Sequence, residues 1–422
     1  MGSWHTPIGI SPSPHSLTAI SLFRAMSPSQ SPVEPIPVAF TFVGDVTAWQ
    51  GGLNYYRSLF HVVHLHARDL ISLVVFTGSA KSVEDLDLPV SARGCYSPVF
   101  RRGSVPWLVN EFFARVFGKP LISTLVLLRA GVSIHSHSAP SGSRKLRTIA
   151  WIPDFQHLHL PHFFSKRELR KRDRHFMHLL KKCDLVVLSS QSAASDLQKF
   201  APEYAFKARV LRFTANLPGP SGSQSLDLLS EYGIKGPFFY IPNQFWAHKN
   251  HCVAVRALAI IAKERPDILI VCSGALHDYR NPTHISALKA KIDRNGLDQR
   301  FILLGLIPFA HISLLMNASV AVINPSLFEG WSTTVEEAKA IGAPLVLSNI
   351  DVHREQCPAG EAVFFDPMNP VGLAECMLSM LDKTRGALER RSSAEAALEL
   401  HRQRRKEFAL SFASIVCELR GG

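Results

Sequence analysis

The chain has 422 residues, 46% of them hydrophobic, and a formal net charge of +12. This length accommodates two domains of ordinary size, and the composition excludes a largely disordered or fibrous protein. The seven cysteines are scattered without the CxxC or CxxH spacing of metal and redox sites, so we expect reduced thiols in a cytosolic protein. No segment reaches the roughly 18 uninterrupted apolar residues of a membrane-spanning helix.

The sequence predicts five segments. Residues 1–37 form a tract rich in Ser, Pro and His without the charged start and apolar core of a signal peptide, and we expect a disordered tail. Residues 38–217 and 237–385 alternate apolar runs with helical patterns, which is typical of α/β domains. The intervening residues 218–236 are predicted to be a linker. Residues 386–422 are expected to form terminal helices, the last of which packs on the first domain.

Short apolar runs predict the strands of both domains. In the first domain they occupy residues 38–44, 71–77, 131–134, 147–152, 184–190 and 208–213. In the second domain they occupy residues 237–243, 267–274, 301–305, 320–323 and 344–348. The fold class that follows is α/β, with two Rossmann-like, doubly wound parallel sheets that face a central cleft.

A glycine pair, Gly51 and Gly52, follows the first predicted strand, and a helical pattern then runs to about residue 66. Strand, glycine loop and helix are the opening of a nucleotide-binding α/β unit, in which glycine lets a phosphate or sugar approach the backbone. An ordinary tight turn explains the glycine pair equally well.

A cluster of titratable side chains follows the predicted strand 147–152. The loop there contains Asp154, His157 and His159. Such a density of acids and histidines at the carboxyl end of a strand favours a functional site over isolated core histidines.

A basic segment runs from Arg144 to Lys182, with eleven Lys and Arg residues against three Asp and Glu residues. Ser165 and Glu168 fit a capping box for a helix with one apolar face and one basic face. One interpretation is a solvated charged surface, and the other is peripheral contact of helix 165–182 with an anionic membrane. Because no interleaved aromatic and basic motif accompanies the charge, we expect no nucleic-acid partner.

Two carboxylates, Glu329 and Glu337, lie eight positions apart at the start of a short predicted helix. The runs 320–323 and 344–348 on either side predict a strand, helix, strand unit whose loop lies where open α/β sheets bind ligands. A purely structural role is the alternative, because Glu337 with Thr334 also fits a capping box, as does Glu336 with Thr333.

With its flanking residues, the segment from Pro325 to Pro344 resembles the E-x7-E region of the family 4 glycosyltransferases, which are retaining enzymes of the GT-B architecture. The resemblance covers about residues 38–385. It implies that Glu329 contacts the donor sugar and that Glu337 binds the ribose hydroxyls of the nucleotide. It also implies that the donor sugar and phosphates face the backbone of Gly330, Trp331, Ser332 and Thr333.

Further positions carry the resemblance. Lys249 matches the lysine that neutralises the donor diphosphate. Gly51 and Gly52 match a glycine loop near the donor phosphate and acceptor, and Leu306 belongs to the segment that edges the nucleobase.

Two positions depart from the family pattern. Asn243 stands where many members have an arginine, which leaves His248 or a basic group of the first domain as the candidate second cation. Pro153 stands where many members have a histidine. His157 is then the candidate for the histidine's role near the sugar, with Asp154 as its orienter or as an acceptor contact.

The resemblance implies transfer of a hexosyl group from a nucleotide-diphosphate sugar to an acceptor hydroxyl, with retention of configuration and without a metal or other cofactor. A GDP- or UDP-sugar donor is expected, and mannosyl transfer is favoured by analogy. The acceptor is expected to be a glycan or a lipid-linked acceptor in surface polysaccharide synthesis. Such a protein would be cytoplasmic and peripheral on the inner face of the membrane. A nucleotide-sugar epimerase of similar shape and an inactive nucleotide-sugar-binding protein are the alternatives.

Overall fold

The computed structural model describes residues 34–44, 50–137, 145–215, 225–382 and 387–421. Most of the predicted tail, residues 1–33, lies outside these ranges, as do residues 216–224 at the predicted domain junction.

The N-terminal domain is built on seven strands: β1 (Ile36–Phe42), β2 (Ile71–Thr77), β3 (Arg93–Tyr96), β4 (Ile134–Ser136), β5 (Arg147–Ile152), β6 (Leu185–Leu188) and β7 (Ala208–Val210). They pair in parallel in the order β3-β2-β1-β4-β5-β6-β7. The order reverses between β1 and β4, and such a switch point opens a crevice at the carboxyl ends of the strands.

The α-helices described in this domain are Gln50–His66, Ala80–Asp85, Val105–Phe117, Leu121–Arg129, Gln156–His159, Lys166–Lys182 and Gln191–Phe200. They bury both faces of the sheet, as the neighbouring β1 residues Val38 and Ala39 show, because each is fully buried in a different apolar cluster. Helix Lys166–Lys182 begins with the predicted capping box between Ser165 and Glu168.

The C-terminal domain has six strands: β8 (Phe238–Ile241), β9 (Leu269–Cys272), β10 (Phe301–Leu303), β11 (Val322–Asn324), β12 (Leu345–Ser348) and β13 (Val363–Phe365). They are parallel in the order β10-β9-β8-β11-β12-β13. The helices described beside them are Ser225–Glu231, His251–Ile261, His284–Arg294, Phe309–Ala318, Thr333–Ile341, Asp351–Gln356 and Pro370–Asp382.

The last helix, Ala387–Gly421, returns from the C-terminal domain to the first. Its side chains Phe408, Phe412 and Val416 are buried in the cluster that contains Val38 and Leu59 of the N-terminal core. The chain therefore crosses twice between the two sheets, which ties the walls of the cleft together.

The predicted fold class, two doubly wound parallel sheets, is confirmed. The edge strands β3 and β13 are absent from the prediction because each is short and only partly buried, so neither has a long apolar run. The predicted linker, residues 218–236, contains helix Ser225–Glu231 in its described part, and Ile234 after the helix is buried in a cluster of the C-terminal domain. Within the described ranges, no helix combines the length and apolarity that crossing a bilayer requires.

Candidate functional site

A cavity of about 600 Å³ lies between the carboxyl ends of the two sheets. Residues of helix Gln50–His66 and residues in or after β5, β6 and β7 line it from one side, and residues after β8, β9, β10 and β11 line it from the other. Both sheets thus offer their ligand-binding edges to one space.

Buried polar side chains hold the loop between β11 and helix Thr333–Ile341. Asn324, at the end of β11, donates from Nδ2 to Ser332 Oγ at 2.7 Å and accepts from Asn243 Nδ2 at 3.2 Å. Ser332 is the N-cap of the helix, because its Oγ accepts from the backbone N of Val335 at 3.3 Å. The loop that carries Glu329 is therefore fixed by its own side chains.

Glu329 and Lys249 form a buried ion pair on the C-terminal wall. Lys249 Nζ lies 2.6 Å from Glu329 Oε1, and Ser326 Oγ donates to the same oxygen at 2.6 Å. The two charged side chains are only 9% and 16% exposed. Burial opposes the ionisation of Glu329, but the Lys249 ammonium outweighs burial and lowers the pKa of Glu329 to about 2. The site therefore holds a permanent carboxylate beside its cation.

Glu337 lines the same cavity but lies in a different electrostatic setting. Burial raises the pKa of its carboxyl to about 8, so the group is protonated at neutral pH. Its neighbour Glu336 accepts a hydrogen bond from Gln356 Nε2 at 3.0 Å. Neither glutamate forms the capping box that the sequence allows, because Ser332 supplies the cap. The carboxyl of Glu337 is thus available to the cavity.

Asn243 lines the cavity without bringing a charge to it. Its Oδ1 accepts from Thr334 Oγ1 at 2.9 Å, so its amide braces the end of β8 against helix Thr333–Ile341. His248 does not supply the missing cation either, because burial and the neighbouring Lys249 lower its pKa to about 3. Among the described residues of this wall, the cationic side chain that lines the cavity is Lys249.

Gly330 and Trp331 bring the two walls into contact. A Cβ at Gly330 would overlap the carbonyl oxygen of Pro153 and lie 2.8 Å from the Cβ of Asp154, so this position admits no side chain. Trp331 Nε1 donates to the carbonyl oxygen of Phe213 at 2.9 Å. The loop predicted to face the donor therefore also joins the domains. Ser332 and Thr333, like Gly330 and Trp331, line the cavity.

The N-terminal wall is aromatic. The ring of Tyr55 stacks on Trp151 with centroids 4.1 Å apart, and both rings line the cavity. The Tyr55 hydroxyl lies 2.7 Å from Nε2 of His137, whose pKa burial lowers to about 3. These residues are missing from the sequence prediction because they are spread over 97 positions of the chain, from Tyr55 to Trp151, and follow no motif.

The structure separates the two residues predicted from the acidic and histidine-rich loop. Asp154 lines the cavity, and its Oδ1 accepts from the backbone N of Gln156 at 2.9 Å. His157 does not line the cavity: it is buried, with Nε2 3.1 Å from Asp173 Oδ1 of helix Lys166–Lys182. The prediction that His157 takes the role of the family's histidine therefore does not fit its position outside the cavity lining.

Gln156, the residue before His157, lines the cavity instead. Its Oε1 accepts from Nη1 of Arg280 at 3.1 Å, and the same guanidinium lies 3.3 Å from Nδ1 of His248. Arg280 thus reaches from the C-terminal domain to the N-terminal wall. No spacing relates Arg280 to the E-x7-E segment, so the sequence alone offers no signal for it.

The remaining predicted positions divide. Gly51 and Leu306 line the cavity, whereas Gly52 is buried in the first turn of helix Gln50–His66 and does not. Both glycines lie in the helix rather than in a loop before it. In the part of the chain that the structure describes, no three His, Cys, Asp or Glu side chains are grouped as metal ligands.

Comparison with known proteins relates the C-terminal part of the chain to a family. Residues 231–398 match the family described as glycosyl transferases group 1. The mannosylfructose-phosphate synthase of Agrobacterium fabrum is 19% identical over 296 residues, which are 63% of this chain and 64% of that protein. The matched region thus spans just under two thirds of that relative's length.

Solved structures resemble the chain over most of its length. HepE of Anabaena, in complex with UDP and glucose, has a TM-score of 0.67 at 16% identity, covering 91% of this chain and 100% of that chain. Sucrose-phosphate synthase of Thermosynechococcus elongatus has a TM-score of 0.65 at 16% identity, covering 92% and 99%. Residues 231–398 are therefore similar to the group 1 glycosyltransferases, and the two facing parallel sheets have the GT-B fold.

Proposed function

We propose that the chain transfers a hexosyl group from a nucleotide-diphosphate sugar to a hydroxyl of a glycan or lipid-linked acceptor, with retention of configuration. The observation that carries the proposal is the buried pair of Lys249 and Glu329 on the wall of a 600 Å³ cavity. Burying two charged side chains costs desolvation free energy, so a buried ion pair is weak evidence for a role in stability alone. This pair faces the space between two ligand-binding sheet edges.

Lys249 and the start of helix Thr333–Ile341 are proposed to bind the donor diphosphate. The ammonium and the positive end of the helix both favour anionic oxygens. As the glycosidic bond breaks, negative charge grows on the leaving phosphate, and a cation already in place stabilises that charge without reorganisation. The ion pair with Glu329 keeps Lys249 in position for this role.

The two glutamates are proposed to recognise different hydroxyls. Glu329 remains a carboxylate and accepts hydrogen bonds from the hexose. Glu337, protonated at neutral pH, can both donate and accept when it meets the ribose hydroxyls. This division follows from the charges around the two side chains.

For the transfer itself we propose attack from the face that the leaving group vacates. The bond between the anomeric carbon and the phosphate oxygen breaks, the acceptor oxygen bonds to the same face, and the leaving phosphate takes the acceptor's proton. The protein then contributes position and charge stabilisation. Asp154, Gln156 and the rings of Tyr55 and Trp151 form the opposing wall, where the acceptor would lie.

The donor is proposed to be a UDP- or GDP-hexose. One structural neighbour was solved with UDP and with UDP-glucose, and the matched curated relative is named for mannosylfructose phosphate. Mannosyl transfer, and an acceptor that is a growing surface polysaccharide on a lipid carrier, remain proposals by analogy.

The test is to incubate the full chain with UDP-glucose, UDP-galactose and GDP-mannose, with and without glycan acceptors, and to follow release of the nucleoside diphosphate. Proton NMR of the product reports the anomeric configuration. We expect acceptor-dependent release and an axial donor linkage that stays axial. An inverted product would contradict the mechanism, and conversion of the donor to its epimer without acceptor would favour the epimerase instead.

A further inference from the structure

Helix Val105–Phe117 has an apolar composition, but most of its side chains are exposed or half-buried. Nine of its 13 residues are hydrophobic, yet the one residue that the helix buries is Asn110. A helix of this composition normally packs into a core. Instead, the side chains of Val105, Leu108, Phe112 and Val116 are 53–72% exposed. With Val109 they recur every three or four residues and form one apolar stripe.

The next helix, Leu121–Arg129, extends this surface. Leu121 and Leu125 are 40% and 53% exposed, while Leu127 on its other face is buried in the N-terminal core. Asn110 Oδ1 accepts from the backbone N of Ser123 at 3.0 Å and ties the two helices together. The pair is therefore a hairpin anchored on one side, with an apolar surface on the other.

Basic residues surround the hairpin. The sequence around and within it supplies Arg101, Arg102, Arg115, Lys119 and Arg129, all exposed. The acid of the hairpin, Glu111, lies 3.4 Å from Arg115 Nη2. An apolar stripe with cations at its edges has the composition of a helix that lies in the interface of an anionic bilayer.

We propose that this hairpin, residues 105–129, is a docking surface for an anionic lipid bilayer. A second copy of the chain would place five cations against five cations, which opposes self-association. A bilayer with phosphate headgroups accommodates both the stripe and its rim. The inference is independent of the transfer reaction, because binding to lipid needs no donor.

The hairpin lies in the connection between β3 and β4 and is separate from the residues that line the cavity. Helix Lys166–Lys182, where the sequence predicts membrane contact, is different: its exposed side chains are Lys, Arg and His, without an exposed apolar residue. That helix can add electrostatic attraction but offers nothing to insert.

The experiment is flotation of the full chain with vesicles of phosphatidylcholine alone or with 30% phosphatidylglycerol, at low and high salt. We expect binding to the anionic vesicles. The triple variant Leu108→Ser, Phe112→Ser, Val116→Ser should lose at least about tenfold in affinity at both salt concentrations, because apolar burial is not screened. The control Phe206→Ser removes an aromatic side chain that is 72% exposed elsewhere in the domain and should bind like the wild type.

A second variant separates the hairpin from the basic helix. Reversing Arg167, Arg170, Lys171 and Arg174 to Glu should weaken binding at low salt and leave binding at high salt nearly unchanged. The proposal fails if this variant abolishes binding while the triple variant binds normally. It also fails if the wild type ignores vesicles, or if the triple variant changes only a dimerisation equilibrium measured by sedimentation. Unaltered melting temperatures show that each variant is folded.

Discussion

The two walls of the cleft differ in the chemistry of the side chains that line them. The C-terminal wall presents charges, Lys249 and Glu329, held by a network of buried amides and hydroxyls. The N-terminal wall presents stacked rings, Tyr55 and Trp151, beside Asp154 and Gln156. A diphosphate demands fixed charge, whereas a sugar acceptor is recognised by aromatic faces and a few polar groups. This difference is the basis on which we propose that the donor binds the C-terminal wall and the acceptor the N-terminal wall.

The largest expected effect on turnover comes from removing the cation of the C-terminal wall, Lys249. Lys249→Met should lower kcat for hexosyl transfer by about 100-fold to 1000-fold, because the leaving phosphate loses its counter-charge. It should also raise the pKa of Glu329, whose ionisation burial opposes. Steady-state kinetics with saturating donor measure the effect. The matched control Lys289→Met changes an exposed lysine of the same domain; equal losses in both variants would remove Lys249 from the chemistry.

The pH dependence of stability separates the two glutamates of that wall. On folding, the pKa of Glu337 rises from 4.5 to about 8, so the folded state binds a proton that the unfolded chain has released between these values. The stabilising contribution of this group is complete below pH 4.5 and is lost as the pH rises through 8.

Glu337→Gln should therefore flatten the decline of the free energy of unfolding between pH 5 and 8, by up to about 1.4 kcal/mol per pH unit. Denaturant titrations over this range measure the slopes. Coincident slopes for the variant and the wild type would contradict a protonated Glu337.

The contact between the walls is expected to have a smaller effect. Trp331→Phe keeps a ring against the N-terminal core but removes the hydrogen bond from Nε1 to the carbonyl oxygen of Phe213. We expect a loss of about 1 kcal/mol in the free energy of unfolding and a modest rise in KM. Chemical denaturation and steady-state kinetics test both. If Trp331→Phe costs as much turnover as Lys249→Met, the walls do not have separate roles.

The smallest catalytic effect is expected at His157. Because its ring is buried against Asp173 and not in the cavity, His157→Gln should leave kcat within about twofold while destabilising the fold by about 1 kcal/mol. Gln156→Ala, at the preceding position, is the matched comparison and should raise the KM for the acceptor. A large loss of kcat in His157→Gln alone would restore the role that the sequence predicted.

The same contrast explains what the sequence could predict. Glu329, Glu337 and the helix start lie within one strand, helix, strand unit, so local spacing defines this part of the C-terminal wall. The opposing wall combines Tyr55 of helix Gln50–His66 with residues at or after the ends of β5, β6 and β7, among them Trp151 and Phe213, and only the packed domain brings them together. The assignment of His157 instead of Gln156 shows the limit, because a single turn of helix, Gln156–His159, decides which side chain faces the cavity.

Binding of nucleotide by the wild type and by Lys249→Met tests most directly the proposal that the donor diphosphate binds at the C-terminal wall. Thermal or chemical unfolding is followed with UDP and GDP at 100 times the wild-type Kd, where a bound ligand stabilises by about 2.7 kcal/mol. We predict this stabilisation in the wild type and in Asp154→Asn, and most of it lost in Lys249→Met at the same concentration. Equal stabilisation of Lys249→Met and the wild type would contradict a donor diphosphate held at Lys249.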